Sequence, residues 1–178
     1  ARYNDGGGSN SGHVRVYEYD GTTWIKLGQD IDGEAANDSA YQVAMNSDGS
    51  RIIFGAKDND SQASNAGHAR VFDYNGSVWV QVGQEILGNS SSDGLAVCAI
   101  SSDGSIIAVS APGDDDNGTN SGSVFIYQYN QGSSSWIQLG GTITGEAAGD
   151  QLYTISLNDA GTRIAIGARY NDGGGTNS

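Results

Sequence analysis

The chain has 178 residues, a net charge of −13 and a single cysteine, Cys98. An acidic surface argues against nucleic-acid and anionic-membrane partners. A lone cysteine excludes an internal disulfide and a cysteine-rich zinc site, and no apolar run reaches the ~18 residues of a membrane-spanning helix.

The 28 glycines, the single proline and the many Ser, Asn and Asp residues predict short elements joined by turns. The chain opens on ARYNDGGGSNS, a polar loop. HVRVYEY (13–19) alternates with a period of two and predicts a strand. Asp20-Gly21 supplies the positive φ angles of a tight hairpin. A second strand surrounds Trp24 and ends at Gly28, a third includes Val43–Met45, and the turn SDGS leads into a fourth at Arg51–Gly55. The same sequence of elements then recurs. His68–Tyr74, a strand around Trp79 ending at Gly83, Val97–Ala99 and Ile106–Ser110 repeat it once. Ser123–Tyr129, a strand around Trp136 ending at Gly140, Thr154–Ser156 and Arg163–Gly167 repeat it again. No stretch has helical periodicity.

The chain is therefore a tandem array. Its blocks are 1–55, 56–110 and 111–167, and a fourth begins at 168–178, where ARYNDGGGTNS returns almost unchanged from the first eleven residues. Four antiparallel strands per roughly 55 residues is the size of a propeller blade. The predicted fold is all-β and β-propeller-like, with aromatic side chains filling the space of about 10 Å between neighbouring sheets. One such sheet cannot bury both faces alone, so stacking supplies the core.

The phrase SAPGDDDNGTNSGSVFIYQY (110–129), with the variants IGARYNDGG and FGAKDND, resembles the FG-GAP, integrin-α-type β-propeller repeat. The resemblance covers all three blocks. It implies a propeller of several blades, typically seven. Three blocks are fewer than the 4–8 that close a ring. The chain is then a segment of something longer, one of several associating chains, or a stretch of an open array. The sequence departs from the calcium-binding integrin repeats in one respect. Where those carry a DxDxDG-type loop between two strands, this chain has only the short SDGS or NDAGT turn, so no calcium site carries over.

Candidate residues fall into three groups. Asp58 and Asp60 in the second block, with Asp114, Asp115 and Asp116 in the third, are hard oxygen donors on loops and are candidate Ca²⁺ ligands. The competing and favoured reading is that they hold their loops by hydrogen bonds to the backbone. Asn37, Asn59, Asn75, Asn89 and Asn117 begin N-x-S/T sequons in predicted turns or loops, where glycans can be accommodated. Trp24, Trp79 and Trp136 share one block position and are read as buried packing residues, against the alternative of sugar-stacking platforms. Cys98 aligns with Val43 and Ile155 and reads as a small buried hydrophobe. His13 and His68 share one position and read as structural.

These features predict a non-enzymatic, structural or adhesive module of an extracellular surface protein, such as a building block of a filament or appendage. It would associate with itself or with further repeats of the same chain, without membrane insertion. The alternative is a ligand-binding propeller recognising glycans or surface proteins, with Ca²⁺ as the one candidate cofactor. An enzyme would need a non-repeated cluster of His and carboxylates, and the sequence displays none.

Overall fold

The computed structural model describes residues 2–171, so all but the start of the fourth block, Asp172 included, lies outside the described residues. Among these the chain is all-β, with sixteen strands and no helix. In the first block β1 (His13–Val14) pairs with β4 (Ile31–Asp32), and β2 (Tyr17–Tyr19) pairs with β3 (Trp24–Lys26). Next comes a sheet in the order β5 (Ala40–Met45), β6 (Arg51–Ala56), β7 (His68–Tyr74), β8 (Trp79–Gln81), with the short β9 (Ile86–Leu87) also on β7. The following sheet repeats that plan: β10 (Val97–Ile100), β11 (Ile106–Ala111), β12 (Ser123–Asn130), β13 (Ser135–Gln138), with β14 (Ile143–Thr144) on β12. A final pair joins β15 (Leu152–Leu157) to β16 (Ile164–Ala168). All the pairings between these strands are antiparallel.

The period read from the sequence holds, but the grouping of strands does not. Each four-stranded sheet takes two strands from one block and two from the next. The sheets run half a block out of phase with the sequence repeat. The reason lies in the connections. SDGS closes β5 on β6, and the polar loop 57–67 then carries the chain from β6 back alongside it as β7, with Ile53 opposite Val71. A sequence alignment places a block boundary inside that ladder. The two-residue strands β4, β9 and β14 went unseen in the sequence because two residues carry no periodicity.

Two apolar clusters occupy the spaces between layers. Val16, Ile31, Ala40, Ile52, Phe54, Phe72 and Trp79 fill the first, between the pieces of the opening block and the sheet β5–β9. Ile53, Val71, Leu95, Cys98, Ile107, Val109, Phe125 and Trp136 are among those filling the second, between that sheet and β10–β14. The alternation along β6 explains the division: Ile52 and Phe54 face one layer while Ile53 faces the other. The hairpin turns are tied together as well. Ser47 N–H donates to Ser102 O at 3.0 Å, and Ser102 N–H donates to Asp159 O at 2.9 Å, a rung that joins three successive turns.

Cys98 is buried in the second cluster, and desolvation of its thiolate pushes the thiol well above its ordinary range. The native chain should therefore resist a thiol reagent such as DTNB and react with one equivalent only after denaturation. Release of thiolate colour on mixing with native protein would refute this placement.

Candidate functional site

The junction between successive layers is built the same way twice. Trp79, first residue of β8, and Trp136 in β13 are each only 3% exposed. Trp79 Nε1–H donates to Leu27 O at 2.9 Å, and Trp136 Nε1–H donates to Val82 O at 2.9 Å. The residue after each carbonyl is a glycine, Gly28 or Gly83. A Cβ there would lie 2.9 or 2.7 Å from the indole Cδ1, and the backbone φ is +75° or +72°. Both facts exclude a side chain. The next residue is Gln29 or Gln84. Its side chain embraces the tryptophan backbone, donating from Nε2 to the carbonyl and accepting the amide on Oε1, at 2.7 and 2.9 Å in both copies. Tyr74 and Tyr129 tilt against these indoles at 5.2 and 5.1 Å between ring centroids.

Trp24 departs from its expected role. It is 66% exposed and tilts against Tyr19 at 5.4 Å, and among the described residues no carbonyl-and-glycine socket stands opposite its indole. At the other end Leu139-Gly140 repeats the socket sequence, and a Cβ on Gly140 would meet nothing within 4 Å. Gly141 stands there in place of the glutamine.

The loop acids are engaged by their own backbone. Asp5, Asp60 and Asp115 each accept, on Oδ1, the amide five residues on: Asn10 at 2.8 Å, Asn65 at 2.6 Å and Asn120 at 2.7 Å. Those three asparagines sit at φ of 57°, 51° and 53°. One residue earlier, Asn4, Asn59 and Asp114 each accept the amide two residues on. Asp114 is also buried on Ser123 Oγ, at 2.7 Å. Asp58 faces Arg2 at 3.5 Å and Lys57 at 3.1 Å, and Asp116 is exposed. No three of these five candidate Ca²⁺ ligands bring their carboxylate oxygens within 4.8 Å of one another. Of the sequon asparagines, Asn37, Asn75, Asn89 and Asn117 are exposed. Asn59 must be corrected: it is 2% exposed, with its Oδ1 bound to the Ser61 amide, and leaves no room for a glycan.

Among the described residues, one group of three ligand-bearing side chains comes together, and it is not in those loops. Glu34, just beyond β4, His68, the first residue of β7, and Glu85, just before β9, hold their ligand atoms within 4.8 Å of one another. His68 Nδ1 lies 3.9 Å from Glu34 Oε2 and 3.8 Å from Glu85 Oε2. The imidazole is 0% exposed, and neither ring nitrogen has a hydrogen-bond partner. Burial, reinforced by the Arg70 guanidinium, lowers its pKa to about 3, so it is neutral near pH 7. Arg70 is itself held by Asp32 O at 2.8 Å and lies over the rings of Phe54 and Phe72. Burial and the neighbouring Glu34 carboxylate raise the Glu85 pKa. The corresponding residues at the next junction are Asn89, Ser123 and Thr142, so the cluster is not a repeat feature. Sequence reasoning missed it because His68 shares its block position with His13. The usable signal was the disagreement between blocks at three positions.

Residues 92–127 match the family model of the FG-GAP repeat, which bears out the FG-GAP resemblance carried by the sequence there. The matched segment runs from the loop before β10 into β12 and so contains the complete β10–β11 hairpin. No curated protein matches the chain. Among solved structures, the chain is similar to a "putative 6-phosphogluconolactonase" from Bacteroides uniformis ATCC 8492, with a TM-score of 0.63 and 13% identity over 92% of this chain and 43% of that one. It is also similar to one of the same name from Bacteroides fragilis NCTC 9343, with a TM-score of 0.53 and 13% identity over 75% of this chain and 33% of that one. The chain thus spans less than half the length of either, and at this identity the likeness is one of fold. It still overturns one expectation from the sequence. The sequence predicts a module with no enzymatic role, yet the fold is shared with proteins named as enzymes, and Glu34, His68 and Glu85 form a non-repeated His–carboxylate cluster.

The junction yields a graded prediction. Trp79→Ala and Trp136→Ala should each cost about 3–5 kcal/mol, as for a buried large aromatic. Trp24→Ala should cost under about 1 kcal/mol in the isolated chain, because little is buried there. Urea unfolding of the three variants at low protein concentration measures this, and equal losses at all three sites would refute the socket. Gly83→Ala should destabilise by about 2 kcal/mol or more, from the positive φ together with the collision with Trp136.

Proposed function

We propose that this chain is a structural, adhesive repeat module of an extracellular protein, with its sheets set as the blades of a β-propeller or of an array that continues by the same junction. One observation carries the reading. The indole-on-glycine junction forms twice inside the chain, and among the described residues its two unmatched halves, Trp24 and Leu139-Gly140, lie in the first and third blocks. Strand pairing points the same way. β15–β16 corresponds to the first half of a four-stranded sheet, and the strands of the opening block correspond to a second half. Among the described residues β16 has β15 as its one strand partner, and open sheet edges recruit further strands. A further copy of the same repeat, joined in phase, offers Leu139-Gly140 an indole and β15–β16 a second pair of strands.

The extracellular placement draws on the FG-GAP resemblance and on the four exposed sequon asparagines. No helix among the described residues is long and apolar enough to cross a membrane.

A sugar-stacking role for Trp24 is the weaker reading. Tyr19 and Trp24 meet at 5.4 Å and 44°, close to the 5.2 Å and 42° of Tyr74 and Trp79. The pair already has the shape that is buried against protein elsewhere in the chain.

The test is a chain lengthened in register, with a second copy of residues 12–178 placed after Ser178. It should unfold in one cooperative transition with a midpoint above that of the single chain. The added copy's tryptophan equivalent to Trp24 should emit at shorter wavelength, as an indole leaving water does. Two transitions at the single-chain midpoint would overturn the proposal.

A further inference from the structure

We propose that Glu34, His68 and Glu85 form a binding site for a divalent transition-metal ion of the zinc type. His68 Nδ1 and one oxygen of each carboxylate are the ligands, and a coordination position is left open on the solvent side. This inference is independent of the structural role proposed above.

The first argument is the state of His68. A wholly buried imidazole with neither nitrogen hydrogen-bonded is rare, because the lost hydration is not replaced. Its Nδ1 faces two carboxylate oxygens at 3.8 and 3.9 Å, too far to be hydrogen-bonded and suitably placed to share a cation. The second argument is charge. The Glu34 and Glu85 carboxylates stand together at His68 Nδ1, and like charges side by side repel each other. A dication between them relieves that repulsion, and their combined charge outweighs the single Arg70 guanidinium. The third is distance. Ligand bonds of about 2.0–2.1 Å in tetrahedral geometry set neighbouring donor atoms about 3.3 Å apart, so a contraction of about half an ångström brings each carboxylate to that spacing from His68 Nδ1. The exposed Glu34 side chain can make that movement, and it marks the side from which an ion enters.

The donor set defines the ion. A neutral imidazole nitrogen with two carboxylates suits Zn²⁺ and its neighbours Co²⁺ and Ni²⁺, and disfavours Ca²⁺ and Mg²⁺, which take all-oxygen shells. Three protein ligands with one position open is the pattern of sites that also hold water or an incoming carboxylate or phosphate oxygen.

The experiment uses the chain without a polyhistidine tag and titrates it with Zn²⁺ by calorimetry, and with Co²⁺ by visible absorption. The next junction supplies substitutions the fold already accommodates: His68→Ser, Glu85→Thr and Glu34→Asn. The wild-type chain should bind one equivalent, show a Co²⁺ d–d band, and gain about 5 °C or more in unfolding midpoint at a hundredfold excess over Kd. His68→Ser and Glu85→Thr should each weaken binding at least a hundredfold and abolish the band. Metal-free His68→Ser should unfold no earlier than the wild type, since it removes an unsatisfied buried group. Absence of saturable one-to-one binding, or unchanged affinity in His68→Ser, would overturn the proposal. So would a His68→Ser midpoint lowered equally with and without zinc, which would make His68 a packing residue.

Discussion

The architecture depends on one contact, made by an indole that reaches across a layer boundary. Its N–H binds a carbonyl at the end of the preceding block's second strand, and its ring edge occupies the space that a glycine leaves open. Dispersion and area burial alone would let neighbouring sheets slide, because apolar contact has no direction. A buried hydrogen bond to a fixed carbonyl does have direction, and leaving its donor unmade is costly. The tryptophan therefore sets the register between layers while the aliphatic clusters supply most of the apolar burial. The glutamine two residues after the carbonyl adds a bidentate hold on the tryptophan backbone.

Much of this was legible in the sequence, because it repeats. Tryptophan and glycine at fixed offsets, with alternating strands and SDG turns, led to an all-β array and to buried indoles at Trp79 and Trp136. Two things were not legible. Strand grouping depends on which neighbour a strand finds in space, and the block boundary in an alignment has no physical meaning for a hydrogen-bond ladder. Trp24 holds the same block position as Trp79 and is followed by Gly28-Gln29 as Trp79 is by Gly83-Gln84, yet burial is a property of what stands opposite, and a sequence position does not record that.

The candidate site shows the converse. Asp5, Asp60 and Asp115 recur at one block position, and two of them are among the candidate Ca²⁺ ligands. In the structure their recurrence reflects a recurring loop that needs a carboxylate to receive a backbone amide. The residues that do converge, Glu34, His68 and Glu85, come from three separate elements of two blocks, and they are where the repeat is broken. In a tandem protein, recurring polar residues tend to maintain the unit, while departures from the pattern mark where one unit has acquired something the others lack.

The half-block offset between sheet and repeat bears on how such a chain changes over time. The unit that a duplication copies and the unit that folds are not the same segment. Inserting or losing one block does not add or delete a finished sheet. It cuts two ladders and requires each half to be rejoined to a stranger. The newcomer is tolerated only if its strands and its indole fit both flanks, so each insertion is screened at two seams at once. Lengthening by whole, near-identical blocks passes that screen readily, while drift in any one block is held in check by the neighbours with which it shares its sheets.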